Sequence, residues 1–566
     1  MKIDLKKLKS ELLFLPLGGC GEIGMNLNLY HYDGRWIMLD CGSSFAEQRI
    51  MPGVDIIVPN IDFILQNKIK IEAIVITHIH EDHIGAICYL WQALRCPIYL
   101  TPLGAAFLKL KLMSYDFDKE VKIIEMPYGK PLFNIAGFQL ETIGLTHSAP
   151  EMKAVAITTP VGTILHTGDW KLDANPVVGD KSEENRLREL GDEGVLAIVC
   201  DSTNVLSDGW SGSEGDIKPN LIKQVKKCRG MAIVTTFASN IARVQTIWDV
   251  AKKTNRKLVI SGTSLHRLVS VAQKMGYLQD LEFTDIKEAS KVQRDKILLL
   301  ATGCQGEPLA TIAKLSADAH PFLKIQADDT VLFSSKIIPG NEKKLFATFN
   351  RLILKGVNVI TEKDDMIHVS GHPNRDELKH MYSLVRPKIA VPVHGEAIHL
   401  HRHCTFATTE CGVKHAVMMQ NGHLIAFSKD GRARKIDEIP ADYLGVDGYI
   451  LRSPASEVMK LRRKIMQAGI VICSVVLNGT GKIVCTPKIS APASLDYVED
   501  AQIIADIEAD ILKLLSGKLV AQVMQAKNKK KNADETMRDA IKQVIRRHFS
   551  NKVGTLPLIQ IEIHTI

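Results

Sequence analysis

Three histidines and an aspartate fall within six residues at His78-Ile79-His80-Glu81-Asp82-His83. Imidazole and carboxylate donors at this density suit zinc or manganese. The run follows the apolar stretch Ile74-Val75-Ile76 and precedes Ile84-Gly85-Ala86, so it reads as a turn from a strand into a helix. Side chains fanned from such a turn can serve two adjacent ions. A site this polar needs further ligands from elsewhere in the chain, and candidates stand at other strand ends: His147 after Glu141–Thr146, Asp169 after Thr163–Gly168, and His394 after Lys388–Val393. Each alone is more often an ordinary strand-end residue. Their order along the chain beside the first cluster makes them candidates.

The elements that must position these residues divide the chain by texture. From Leu12 to about Asp201, β-rich runs alternate with turns at 26–32, 36–40, 73–77, 137–146, 154–159, 163–166 and 196–200. Polar residues repeatedly follow these strands, the layout expected when loops at one sheet edge build a site. From about 231 the pattern becomes strand then helix: 232–235 before 241–253, 257–260 before 265–275, 297–300 before 308–317, and 330–334 before 341–355. That alternation predicts a parallel, Rossmann-like sheet. If 388–393 belongs to the first sheet, the parallel unit is an insertion. After about 450 the chain reads as α+β, with helices at 457–467, 499–515 and 534–549 and a closing strand at 558–564. A hairpin is expected between Ile470–Leu477 and Lys482–Cys485 around Asn478-Gly479-Thr480-Gly481. Lys527–Lys531 reads as a solvated loop, with an RNA contact as the alternative.

Bulk properties bound the partners. The 566 residues are 46% hydrophobic and 24% charged, an ordinary globular composition. Basic residues number 71 against 63 acidic, a net +8, which biases the chain mildly toward anionic partners and excludes a histone-like binder. The eleven cysteines lack Cys-x-x-Cys spacing and several sit in apolar runs such as Ala197–Cys200, the pattern of buried free thiols in a reducing compartment. No secretory signal pattern stands at the N-terminus, and no stretch approaches the roughly 20 apolar residues of a membrane span. The expected location is cytoplasmic, with no membrane partner.

Asp40 in Met38–Gly42, the His78 cluster, His147 in Thr146–Ser148 and Asp169 in Thr167–Asp169 resemble, in that order, the four motifs of the metallo-β-lactamase superfamily. The long insertion, Asp201-Ser202-Thr203-Asn204, His372 in Ser370–His372 and His394 in His394-Gly395-Glu396 resemble motifs A, B and C of the β-CASP nucleases. More narrowly, Leu17–Gly24, Thr236–Asn240, Thr302–Glu307, Ile338–Glu342 and His368–His372 are similar to the bacterial ribonuclease J family, and the resemblance covers nearly the whole chain. It implies an α/β with α+β fold: a metallo-β-lactamase αββα sandwich over 1–208 and 371–449, an inserted Rossmann-like β-CASP domain over 209–370, and a small α+β C-terminal domain over 450–566 after a linker at about 450–460.

Carried over residue by residue, the resemblance implies two divalent ions per subunit, zinc first, with manganese or magnesium as alternatives. His78, His80 and His147 would hold one ion, Asp82, His83 and His394 the other, and Asp169 would bridge them. Asp40 would orient a ligand imidazole. Two such ions activate a hydroxide for in-line attack on phosphorus, leaving a 5′-phosphate and a 3′-hydroxyl. Departure of the 3′-oxygen requires a proton; His372, held and charged by Asp201, is the candidate general acid, and Asp82 joins them as the third candidate catalytic residue. Ser370, Gly371, Ser239 and Asn240 suit a phosphate, the latter two at a helix N-terminus, although either could simply cap the helix. In ribonuclease J relatives, Phe237, Ala238, Ser239 and Asn240 together with His368, Val369, Ser370, Gly371 and His372 are implied to bind the RNA 5′ end and its monophosphate.

The implied activity is 5′-to-3′ exonuclease and endonuclease cleavage of single-stranded, 5′-monophosphorylated RNA in mRNA decay and rRNA maturation. A homodimer or homotetramer, supported by the C-terminal module, and partners in an RNA-degradation complex are also implied. Basic clusters at Lys226, Lys227 and Arg229, at Lys252, Lys253, Arg256 and Lys257, and at Arg462–Lys464 are candidates for an RNA path or for solvated faces. Pro373 stands where relatives often have glycine and removes a backbone donor beside the phosphate segment; Cys20 and Cys304 replace other small residues. The rivals are a small-molecule hydrolase of the superfamily, a β-CASP DNA nuclease, and an inactive RNA-binding scaffold. The insertion and His394-Gly395-Glu396 argue against the first, a histidine at motif C against the second, and the full ligand set against the third.

Overall fold

The computed structural model describes residues 7–126, 133–337, 341–517 and 530–566. They form two compact units, one of the described residues within 7–44 and 58–442 and one of those within 45–57 and 443–566. The basic run Lys527–Lys531 and the segment Ile338–Gly340 lie wholly or partly outside the described residues.

Two sheets form the frame of the first unit. An eight-stranded sheet runs in the order 432–438, 423–428, 12–18, 27–32, 35–39, 71–75, 98–100, 123–125. A seven-stranded sheet runs 133–135, 138–144, 153–159, 162–166, 197–201, 389–393, 415–416. Their inner faces share one apolar core, in which Phe14, Tyr30, Ile37 and Val75 meet Phe138, Val155, Val199 and Val391. The outer face of the second sheet packs Ile198 and Ala390 against Leu187, Leu378, Met381 and Phe406 of helices 184–193, 375–385 and 397–409. Burial on both faces explains why 197–200 and 389–393 are apolar throughout rather than alternating.

Strand 389–393 pairs in parallel with 197–201, residue 389 opposite 197, so the chain leaves this sheet after 201 and returns to it through helix 375–385, with an insertion between. It contains a six-stranded, wholly parallel sheet in the order 284–285, 257–261, 297–301, 232–235, 330–333, 358–360. Alternate residues of its strands face opposite ways: Val234, Ile260 and Leu300 pack with helices 241–253 and 263–274, while Ile233, Val259 and Leu299 pack with helices 311–316 and 342–354.

In the second unit, strand 470–477 pairs antiparallel with 488–490 and parallel with 558–565, and Val471, Cys473 and Val475 pack on Ile507, Ile511, Ile541 and Ile545 of helices 501–516 and 530–548. The hairpin expected at 470–485 does not form as a ladder. It forms as a short turn pairing instead: the Asn478 side chain accepts from Thr480 N and Lys482 N, Asn478 N donates to the Lys482 carbonyl and Val484 N to the Val476 carbonyl, and Ile483 bridges Leu477. The partner strand is 488–490. Segment 45–57 contributes Met51 and Val54 to a small core with Met459 of helix 457–468. All eleven cysteines are free; Cys485 is exposed, Cys404 and Cys411 are half-buried and the others are buried.

Candidate metal centre

Every candidate ligand stands just beyond the C-terminal end of a strand, and strand pairing brings these ends level. Pairing of 35–39 with 71–75 sets Asp40 beside Thr77; pairing of 162–166, 197–201 and 389–393 sets Asp169, Asp201 and His394 side by side. Asp40 and His394 both hold left-handed backbone, φ 61° and 53°, a conformation that costs energy and is tolerated where the surroundings fix it. For His394 the fixing bond is its N–H to the Gly19 carbonyl, 2.6 Å, continued by pairing of Cys20 with Gly395.

His78, His80, His147 and Asp169 each bring one donor atom within 4.8 Å of the others, and so do Asp82, His83, Asp169 and His394. Asp169 belongs to both groups. His78 Nε2 and His147 Nε2 lie 3.0 and 3.1 Å from His80 Nδ1. His83 Nε2 lies 3.1 Å from Asp169 Oδ2, and His394 Nε2 3.2 Å from Asp82 Oδ2. The same radius also gathers Asp169, Asp201, His372 and His394, but there His372 and Asp201 already satisfy each other.

Whether this set fits metal ions is decided by what the other ring nitrogens do. His83 Nδ1 donates to Asp40 Oδ2, 2.7 Å. His78 Nδ1 is 3.0 Å from Thr77 Oγ1, which itself donates to Asp40. His147 Nδ1 donates to the Gly371 carbonyl, 2.6 Å, His394 Nδ1 meets Thr203 Oγ1 at 3.0 Å, and His80 Nε2 meets Ser148 Oγ at 3.4 Å. With the remote nitrogen acting as donor, each neutral ring turns a lone pair to the centre, the arrangement that orients metal-ligating histidines. Asp169 Oδ1 is buried without a hydrogen bond. The donor set fits two divalent cations.

Titration follows the same geography. Burial, reinforced by neighbouring histidines, pushes His78 and His147 well down, and burial takes His80 to about 4. Across the cluster the carboxylates win instead. Burial opposes charge on His83, but Asp169, Asp40 and Asp82 raise it well above its ordinary value; against the same opposition Asp169, Asp201 and Asp82 hold His394 at about 10.

Beside this cluster, His372 Nδ1 donates to Asp201 Oδ2 at 2.8 Å. Burial disfavours its charge, yet Asp201 and Asp169 raise its pKa. Asp201 Oδ1 accepts from Thr203 N and Oγ1, 2.8 and 2.7 Å. Ser370 Oγ accepts from Asn204 Nδ2 at 2.7 Å and from His372 N at 3.1 Å, so its own proton is left to donate. A Cβ on Gly371 would come 2.8 Å from His147 Cε1, which explains glycine there. Across from this segment Phe237, Ala238 and Ser239 are half-buried, whereas Asn240 is buried and its Oδ1 accepts from Arg243 N at 2.8 Å. That oxygen caps helix 241–253. His368 is half-buried and Val369 buried.

Several contributors escaped the sequence reading. Thr77 and Ser148 adjoin quoted motifs, and Thr203 and Asn204 lie inside one, but Arg243, Glu214 and Ser334 carry no local signal. Four residues of the basic clusters are committed elsewhere: Arg256 donates to the carbonyls of Cys228, Gly230 and Ile297, Lys252 pairs with Asp280, Arg462 forks onto Asp447, and Arg463 donates to the Ile50 and Pro454 carbonyls.

Fold and site together define a metallo-hydrolase, and the family comparisons agree. Residues 26–192 match the metallo-beta-lactamase superfamily, 229–352 the ribonuclease J beta-CASP domain, and 356–418 the Zn-dependent metallo-hydrolase RNA specificity domain. Ribonuclease J of Sinorhizobium meliloti is 37% identical over 98% of this chain and 97% of its own length. Ribonuclease J of Helicobacter pylori strain 26695 is 32% identical over 98% of this chain and 80% of its own, and that of Thermus thermophilus 33% identical over 81% of each. A solved structure of a protein of unknown function from Enterococcus faecalis V583 shares the fold, with TM-score 0.52 and 15% identity over 74% of this chain and 100% of that one.

The chain belongs to the ribonuclease J family. It is a metal-dependent ribonuclease, a hydrolase that cleaves RNA phosphodiester bonds. No helix among the described residues is long and apolar enough to cross a membrane.

Proposed function

We propose that this ribonuclease degrades 5′-monophosphorylated single-stranded RNA in the 5′-to-3′ direction and also cuts internally, leaving 5′-phosphate and 3′-hydroxyl ends, in mRNA decay and rRNA maturation in the cytoplasm. His78, His80, His147 and Asp169 hold one zinc ion, and Asp82, His83, His394 and Asp169 the other. When bound, two such ions supply Lewis-acid activation of water and neutralise charge on the non-bridging phosphate oxygens. Asp40 orients His83 directly and His78 through Thr77. His372, held protonated by Asp201, gives its proton to the departing 3′-oxygen. Ser370 donates to a substrate phosphate, and residues 237–240 and 368–371 receive the 5′ end. The C-terminal unit supports a homodimer or homotetramer, and RNA-degradation partners bind the assembled enzyme.

The observation that carries this reading is the continuity between ligand cluster and phosphate segment: His147 Nδ1 bonds the Gly371 carbonyl while the adjacent His372 bonds Asp201. The test compares 5′-monophosphate, 5′-triphosphate and 5′-hydroxyl RNA of one sequence, with matched DNA, using wild type and Asp82→Ala. Preference for monophosphorylated RNA that disappears with all turnover in the variant supports it. Equal cleavage of the DNA, or full activity in the variant, rejects it.

A further inference from the structure

Beneath the segments assigned to the 5′ end lies a buried cation that neither the metal cluster nor the proton transfer uses. Arg243, in the first turn of helix 241–253, is 0% exposed. Its Nε and Nη2 donate to the two oxygens of Glu214, 2.5 and 3.0 Å. Its Nη1 donates to the Ser334 carbonyl at 2.6 Å and to Ser334 Oγ at 2.7 Å, and lies 3.4 Å from His368 Nδ1. Ser334 Oγ in turn donates to the Ile367 carbonyl, 2.5 Å, directly before His368.

One guanidinium therefore ties four segments together: the 214–216 turn, the helix start capped by Asn240, the end of strand 330–333, and the chain returning through 367–368. Glu214 N also donates to Asp173 Oδ2, 2.9 Å, and Asp173 pairs with Lys171 two residues beyond Asp169. A buried ion pair adds little net stability after desolvation. What it fixes is geometry, because the planar fork admits one arrangement of acceptors where an ammonium admits many.

We propose that Arg243 is the positioning residue for 5′-end recognition: its fork, locked by Glu214, sets His368 and Ser370 against the helix start at Ser239 and thereby sets discrimination between monophosphate and hydroxyl 5′ ends. This rests on the 5′-monophosphate preference proposed above. Arg243→Lys keeps the charge and loses the fork. Ser334→Ala removes only the hydroxyl that passes the arrangement to Ile367.

The experiment measures kcat and KM for wild type, Arg243→Lys, Ser334→Ala and His368→Ala on 5′-monophosphate and 5′-hydroxyl RNA of one sequence, with metal content and thermal midpoints recorded. In Arg243→Lys and Ser334→Ala the ratio of kcat/KM between the two substrates falls about tenfold or more, through KM for the monophosphate. Simple loss of folded protein lowers both substrates together and leaves the ratio alone; if Arg243→Lys fails to fold, Ser334→Ala decides. An unchanged ratio in the folded variants, with the ratio lost in His368→Ala, overturns the inference while the 5′-end reading stands. A wild-type ratio near one removes that reading, and this inference with it.

Discussion

Asp201 serves two histidines with one carboxylate. Oδ2 holds His372, and Oδ1 holds Thr203, whose hydroxyl meets His394 Nδ1. Thr203 is thus the link between a proposed metal ligand and the proposed acid, and Thr203→Val should lower metal affinity about 10–100-fold, read by competition with a chelator, while Thr203→Ser keeps it. Equal affinities in wild type and valine variant would show that the Thr203 hydroxyl does not orient His394. His372 carries a sign of its own. Asp201 raises its pKa above the ordinary histidine value against the opposing effect of burial, so an acid role predicts kcat flat at lower pH and falling as pH rises through that raised value. Asp201→Asn removes the charge, and the falling limb should move to lower pH in kcat–pH profiles; an unmoved limb assigns the proton to another group. That the candidate ligand side chains gather was legible in the sequence, because imidazoles and carboxylates at successive strand ends have few other reasons to cluster. Thr77, Ser148 and Thr203 were not, since which hydroxyl meets which ring is settled by the pairing of strands far apart in the chain.

Loops at the strand ends are held by buried acceptors more than by apolar contact. Glu377, 0% exposed in helix 375–385, accepts from Leu172 N at 3.0 Å and Ser211 Oγ at 2.9 Å on one oxygen, and from Ser211 N at 2.7 Å and Asn374 N at 2.9 Å on the other. It fixes the loop after Asp169, the loop after Asp201 and the helix that follows His372. Glu377→Ala leaves three backbone donors without that acceptor, of which Leu172 N is buried and those of Ser211 and Asn374 partly so; at roughly 1–3 kcal/mol for a buried donor unmet, the loss of stability is at least about 1–3 kcal/mol, measured by denaturant unfolding. A loss below about 1 kcal/mol would show that water replaces the carboxylate. Apolar strands and amphipathic helices were readable to within a few residues, because burial on one or two faces writes a period into the sequence. The two-residue strand 284–285 and the three-residue strand 358–360 are too short to carry a period. The hairpin at 478–481 forms but stays short, since the chain after Cys485 continues to the strand 488–490, which pairs with 472–474.

At the scale of the whole molecule, the insertion and the return of the chain to the first frame could be inferred from the change in texture at about 231 and from strand 388–393. Nothing local announced that 45–57 belongs with the C-terminal unit, since what ties it there, Met51 and Val54 packed on Met459 and the Pro52 and Ile50 carbonyls accepting from Arg462 and Arg463, depends on a helix four hundred residues on. The assembled cluster also makes metal loading a proton exchange. Without metal, His83 is raised well above its ordinary value, and His394 is raised from 6.5 to about 10; in both cases carboxylate charge overcomes burial. Against the upward push of burial, His83 and His394 keep Asp82 low, and Asp169 sits at about 2. The raised values of both rings predict that the metal-free centre carries protons there that must leave before cations enter. Titration calorimetry of metal binding in two buffers of different ionisation enthalpy should give different apparent heats, corresponding to release of more than one proton, and affinity should rise with pH toward 10. The same groups set the stability of the metal-free protein. A raised histidine contributes fully below its unfolded value near 6.5 and loses that contribution as pH rises through the folded value, so metal-free protein weakens over the window in which metal binds more tightly. The gap in thermal midpoint between loaded and chelated protein should widen from pH 6.5 to 9, and identical calorimetric heats in both buffers would mean that His83 and His394 are neutral before the ions arrive.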